Sequence, residues 1–162
     1  MDFSRLSRPE AVGVVAGMVL VLSLIFLPWF SLDHNPTRDM GEGFICGTDE
    51  YSCTGFEAFP ILRWLLIAGA AAPLILAYIV ARGNRLSWPP GEMTMIVGFF
   101  ATVLILYNGI IDKPGSGRAE IGVSLDGGYY LALLAAIGIG VAGFWRSMQA
   151  GGRRERKAPG TV

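Results

Sequence analysis

Apolar residues fall in four long blocks separated by polar connectors. From Ala11 to Phe30 the chain reads AVGVVAGMVLVLSLIFLPWF without a charge, and further blocks run from Phe59 to Ala81, Met93 to Ile111 and Gly128 to Trp145, the second carrying only Arg63. A helix rises about 1.5 Å per residue, so about 20 residues cross the roughly 30 Å hydrocarbon core of a bilayer. Apolar runs of about 10 to 14 residues suit buried soluble helices; these are longer, and a soluble fold has no interior large enough for all four. The first block exceeds the apolar stretch of a signal peptide and ends in Leu27-Pro28-Trp29-Phe30, not in a small-residue cleavage site, so it is expected to remain as a helix. The pattern predicts an all-α membrane protein, a four-transmembrane-helix bundle. Its helices are expected at 11–30, 59–81, 93–111 and 128–145, with loops at 31–58, 82–92 and 112–127, an N-terminus at 1–10 and a tail at 146–162.

The two loops on one side of the bundle have structure of their own. In the second, Ile121, Val123 and Leu125 alternate with small or polar residues, as in a half-buried strand. A lone strand is unstable, so a partner is expected around Phe44 to Phe56, giving a small extracellular β-sheet built from the two outer loops. The first loop holds both cysteines, Cys46 and Cys53, separated by the turn-rich GTDEYS. A disulfide between them is expected in an oxidising compartment. The alternatives are a redox pair, which usually reads Cys-x-x-Cys, or a zinc site, which needs more ligands than this loop supplies. His34, the sole histidine, reads as a solvated loop residue.

Charge decides orientation. Of 162 residues 52% are hydrophobic and 16% charged, against about a quarter charged in ordinary soluble domains. Thirteen basic residues balance thirteen acidic ones, which excludes a protein held to nucleic acid by bulk positive charge. Sorted by side, Arg5, Arg8, Arg82, Arg85, Arg146, Arg153, Arg154, Arg156 and Lys157 fall on one face, and Arg38, Lys113 and Arg118 on the other. Positive loops stay in the cytoplasm, so both termini are expected inside a cell membrane, with a net +5 within and −6 outside. The basic tail is expected to be disordered and drawn to anionic headgroups. Aromatic residues near the block ends (Trp29, Phe30, Phe59, Trp64, Trp88, Tyr107, Tyr129, Tyr130 and Trp145) read as interfacial anchors.

Within the spans, Arg63 is either such an anchor or the partner of Glu57 or Asp126 in an outer-face ion pair. No span carries a charge near its middle, which argues against a proton-coupled pump. Pro73 predicts a kink in the second helix. Gly13 with Gly17, and Ala132 with Ala136 and Gly140, repeat small residues at four-residue spacing. Such faces let helices approach closely, within one bundle or against another membrane protein or a second copy of the chain.

Pro28-Trp29 at the end of helix one, Gly43-Phe44-Ile45, the two cysteines, Arg63 at the start of helix two and the Ile121 to Leu125 strand together resemble the claudin and peripheral-myelin-type four-helix superfamily. The resemblance implies four helices, cytoplasmic termini and a large ordered first outer loop. The chain departs from that pattern in lacking a tryptophan after Gly43 and in its short cysteine spacing. No Walker A, nucleophile elbow, His-Glu-x-x-His or dinucleotide motif is present. The expected function is non-enzymatic, with no catalytic residue, metal or cofactor. The protein is read as a scaffold, assembly or accessory subunit that acts by contact, its partners the lipid bilayer and another membrane protein or itself. The alternative is a subunit of a channel or transporter with an acidic outer mouth.

Overall fold

A computed structural model describes residues 7–32, 52–82, 90–113 and 123–155. Helix α1 runs from Arg8 to Phe26. It starts where Ser7 and Glu10 form a capping box, with the Ser7 amide donating to Glu10 Oε2 at 2.7 Å, and Pro9 in the first turn, where its missing N–H costs nothing. It stops before the expected Phe30. Proline disfavours the helical region for the residue preceding it, and Leu27, with φ −101° and ψ 143°, is already extended ahead of Pro28. Strand β1 follows directly from Pro28 to Leu32.

Strand β2, Ser52–Thr54, leads into the single turn α2, Gly55–Ala58, whose capping box joins Thr54 to Glu57. Helix α3 covers Leu62–Ala81 and carries Pro73 on a buried face; Pro60 lies ahead of its first turn. Helix α4, Pro90–Leu106, passes into a π-helical turn at Tyr107–Ile111. Strand β3 covers Val123–Leu125, and α5 extends from Gly127 to Glu155, past the Trp145 limit expected for the last span and into the segment expected to be disordered. Among the described residues four helices are therefore long and apolar enough to span a membrane: Arg8–Phe26, Leu62–Ala81, Gly91–Ile111 and Gly127–Gln149.

Helices α1 and α5 form the inner pair, with α3 packed on α1 and α4 on α5; α3 and α4 meet less closely. In lipid, packing replaces the hydrophobic effect as the force between helices, so small residues matter most. A Cβ at Gly98 would overlap the backbone of Gly140, so α4 and α5 touch main chain to main chain there. Gly17 backs onto the Ala70 carbonyl oxygen, 2.7 Å from where its Cβ would lie. The small residues singled out in the sequence, Gly13, Gly17, Ala132, Ala136 and Gly140, thus face neighbouring helices of the same chain.

The sheet differs from the expected pairing. Its order is β2-β1-β3, both neighbours antiparallel to β1. The two loop strands do not pair with each other, because residues 28–32, of which 28–30 are expected as the end of a helix and 31–32 as the start of a loop, form the central strand between them. The sheet is open: among the described residues the outer edges of β2 and β3 pair with no further strand.

Candidate functional site

Two places in the bundle gather polar chemistry, one at each end. At the sheet end, Phe30 lies opposite Cys53 on one side and Leu125 on the other, and the Ser31 and Ser124 hydroxyl oxygens are 3.0 Å apart. Pro28 turns Trp29 into the protein, where it is 0% exposed. Its indole N–H donates to the Ser23 carbonyl at 3.0 Å, and the Ser23 hydroxyl donates to the Gly128 carbonyl at 2.6 Å. The Trp29 ring packs edge-on against Phe59 at 6.3 Å and Tyr129 at 6.0 Å, and the Tyr129 hydroxyl donates to the Ile105 carbonyl at 3.3 Å. This aromatic cluster joins the ends of α1, α4 and α5 to the sheet. Trp29, Phe30, Phe59 and Tyr129 are therefore core residues, a correction to their expected place at the membrane surface. Trp64, Tyr107, Tyr130 and Trp145 are exposed on the bundle perimeter, where anchors belong. Trp88 lies outside the described residues.

The outer-face ion pair expected for Arg63 does not form with either candidate in the described structure. The Glu57 carboxylate accepts from the amide and hydroxyl of Thr54, and Asp126 Oδ1 accepts from the Gly127 amide. Arg63 turns to aromatic and backbone groups: Nη1–H donates to the Phe56 carbonyl at 3.2 Å, and the guanidinium carbon lies 4.5 Å from the Phe56 ring centroid. The expected Cys46–Cys53 disulfide falls partly outside the described residues, because Cys46 is not among them; no cysteine among the described residues is a free thiol. What the described structure gives is the place of Cys53, buried and fixed by strand pairing opposite Phe30. His34, Gly43, Phe44, Ile45 and the acidic residues of 33–50 also lie outside the described residues.

At the opposite end, Arg146 Nη1 pairs with Glu10 Oε1, joining the last membrane turns of α5 to the first turn of α1. The Glu10 side chain is 4% exposed and that of Arg146 18%. Beside the pair lies a cavity of about 10 Å³, the room of one water molecule, lined by Gly13, Pro73, Thr94 and Gly143 among others. The sequence alone places Glu10 in the N-terminus and Arg146 at the start of the basic tail. The available signal was their position, since opposite charges flanking the same ends of two spans are placed to meet.

The described bundle thus carries a three-stranded sheet at one end and a buried charge pair at the other. Among the described residues no three His, Cys, Asp or Glu side chains gather as metal ligands. Fold and sites together define a multi-pass, four-helix membrane protein with a small sheet cap. No protein-family model matches the chain, and neither a curated protein nor a solved structure is similar to it.

Proposed function

We propose that the protein is non-enzymatic and works by contact, as a scaffold or accessory subunit that presents its sheet end to a partner. The observation that carries this reading is the closed interior. The buried polar or charged side chains of the described residues, Glu10, Ser23 and Thr94, all lie near an end of their helix; the buried mid-span positions are filled by Ala, Leu, Ile, Gly and Pro, and the half-buried Thr102 turns its hydroxyl to the Gly98 carbonyl of its own helix. Among the described residues one copy thus offers no polar pathway of the kind that conduction or coupled transport uses, which weighs against the channel reading. What distinguishes the chain from a bare helical bundle is the sheet and the aromatic cluster beneath it.

In this proposal both termini are cytoplasmic and the sheet is outside, supported by the excess of Arg and Lys at the termini end. The order of elements suits the claudin-type plan, which is proposed for layout alone. The small-residue faces named above are occupied within the chain, so partner contact falls to the sheet end and the lipid-facing perimeter. The test is native mass measurement and cross-linking of protein purified in mild detergent from its own membranes. A homo-oligomer or a stoichiometric partner cross-linked through the sheet end is expected. A strict monomer without partner overturns the reading, as does ion or solute flux in liposomes above that of empty vesicles.

A further inference from the structure

Arg63 occupies the first turn of α3, at the level where hydrocarbon gives way to headgroups. A guanidinium has five N–H donors and no acceptor. Nη1 serves the Phe56 carbonyl, while Nε is buried without a hydrogen-bond partner. A small outward turn of the side chain would open the Nε–Nη2 edge, the side-on face with which arginine takes two oxygens of one anion at once. Glu57 and Asp126 are engaged elsewhere, so no carboxylate among the described residues neutralises the charge. No acid lies in the first turn of α3, and its Arg63 and Trp64 amides donate to the Phe59 and Ile61 carbonyls, so the unmet demand for an acceptor rests on the guanidinium.

The surroundings select what kind of anion. Phe56 and Trp64 flank the guanidinium at 4.5 and 5.5 Å. Ile61, Trp64 and Leu65 around it are exposed at 76%, 59% and 55%, an apolar surface on a membrane-spanning helix and therefore turned to lipid. A free anion would have to leave water beside this surface. A phospholipid brings its phosphate and its own apolar chains together.

We propose that Arg63, held between Phe56 and Trp64, binds the phosphodiester of a membrane phospholipid in the leaflet at the sheet end, with the acyl chains along Trp64 and Leu65. The site is the same whichever way the chain is inserted, so it stands apart from the orientation and partner proposed above. The bound phosphate supplies the acceptor that Nε lacks and the counter-charge that an arginine at the membrane boundary needs.

The test is native mass spectrometry of the full chain released from detergent. The probes are phosphatidylglycerol, diacylglycerol with the same acyl chains, and inorganic phosphate. Retention of one phosphatidylglycerol is expected, with diacylglycerol retained about tenfold less, the loss of one charge-assisted contact. Arg63→Gln should lower occupancy by about tenfold, while Arg82→Gln, at the other end of α3, leaves it unchanged. Arg63→Lys keeps the charge and should fold even if the glutamine variant does not; losing the side-on edge should still reduce its occupancy by about threefold. Equal occupancy in a folded Arg63 variant overturns the proposal. So does equal retention of diacylglycerol, and displacement of the lipid by millimolar inorganic phosphate assigns the site to a soluble anion and overturns it as well.

Discussion

The guanidinium of Arg146 and the carboxylate of Glu10 meet across the α1–α5 interface, so opposite ends of the chain close the bundle at the termini end. The same carboxylate accepts from the Ser7 amide, so one side chain both caps α1 and docks it against α5.

Removing one partner of a buried pair leaves a stranded charge. Glu10→Gln is expected to destabilise the protein by about 3 kcal/mol, the lower end of the range for breaking such pairs, because Arg146 remains 18% exposed and can reach water. The double variant Glu10→Gln with Arg146→Met should recover most of that loss, since no charge is left buried. Thermal unfolding in detergent, followed by circular dichroism across the double-mutant cycle, measures both. A double variant as unstable as the single one would show that the pair does not couple the two helices.

Trp29 combines an apolar anchor with one hydrogen bond. Trp29→Phe keeps most of the ring packing and leaves the Ser23 carbonyl without the indole donor, for an expected loss of about 1 kcal/mol. Trp29→Ala also opens a cavity beneath the sheet, for an expected loss of about 3 to 5 kcal/mol. Near-ultraviolet circular dichroism and hydrogen exchange at 28–32 should show the alanine variant losing the sheet before the helices.

Gly98 and Ala68 make a matched pair of controls. Gly98→Ala forces α4 away from the Gly140 backbone and should cost about 1 to 3 kcal/mol, whereas Ala68→Val on the exposed face of α3 should change stability by less than about 0.5 kcal/mol. Unfolding midpoints of the two variants decide it. A destabilising Ala68→Val at unchanged monomer packing would mark that face as covered by another subunit.

Ser31 and Ser124 test the sheet register. Replacing both with alanine is expected to cost about 1 kcal/mol, with a coupling energy between the single changes of at least about 0.5 kcal/mol, because their hydroxyls bond to each other across β1 and β3. An additive cycle would indicate that the strands do not keep this register in solution.

The four spans were legible because a bilayer demands length and apolarity, which composition records directly. Phe30 was misplaced for the same reason: hydropathy does not separate an apolar strand from the last turn of an apolar helix. Pro28 held the correcting signal, since a residue before proline leaves the helical region. The partners of Val123 and Leu125 were not legible, because the central strand straddles the limit between what reads as a membrane span ending at Phe30 and the loop that follows it. Arg63 stands in the first turn of α3, close to where the sequence places the start of that span. Its neighbours Phe56 and Trp64 could not be read as partners, because stacking depends on how the α2 turn folds back on α3. Glu10 and Arg146 are joined by tertiary packing alone, which no local pattern records.

Leu27 is the single residue between α1 and β1, and Asp126 the single residue between β3 and α5. Neither junction has slack. Tilting α1 against α5 would shear the two strands that continue them, so the inner helix pair and the β1–β3 ladder are geometrically one unit.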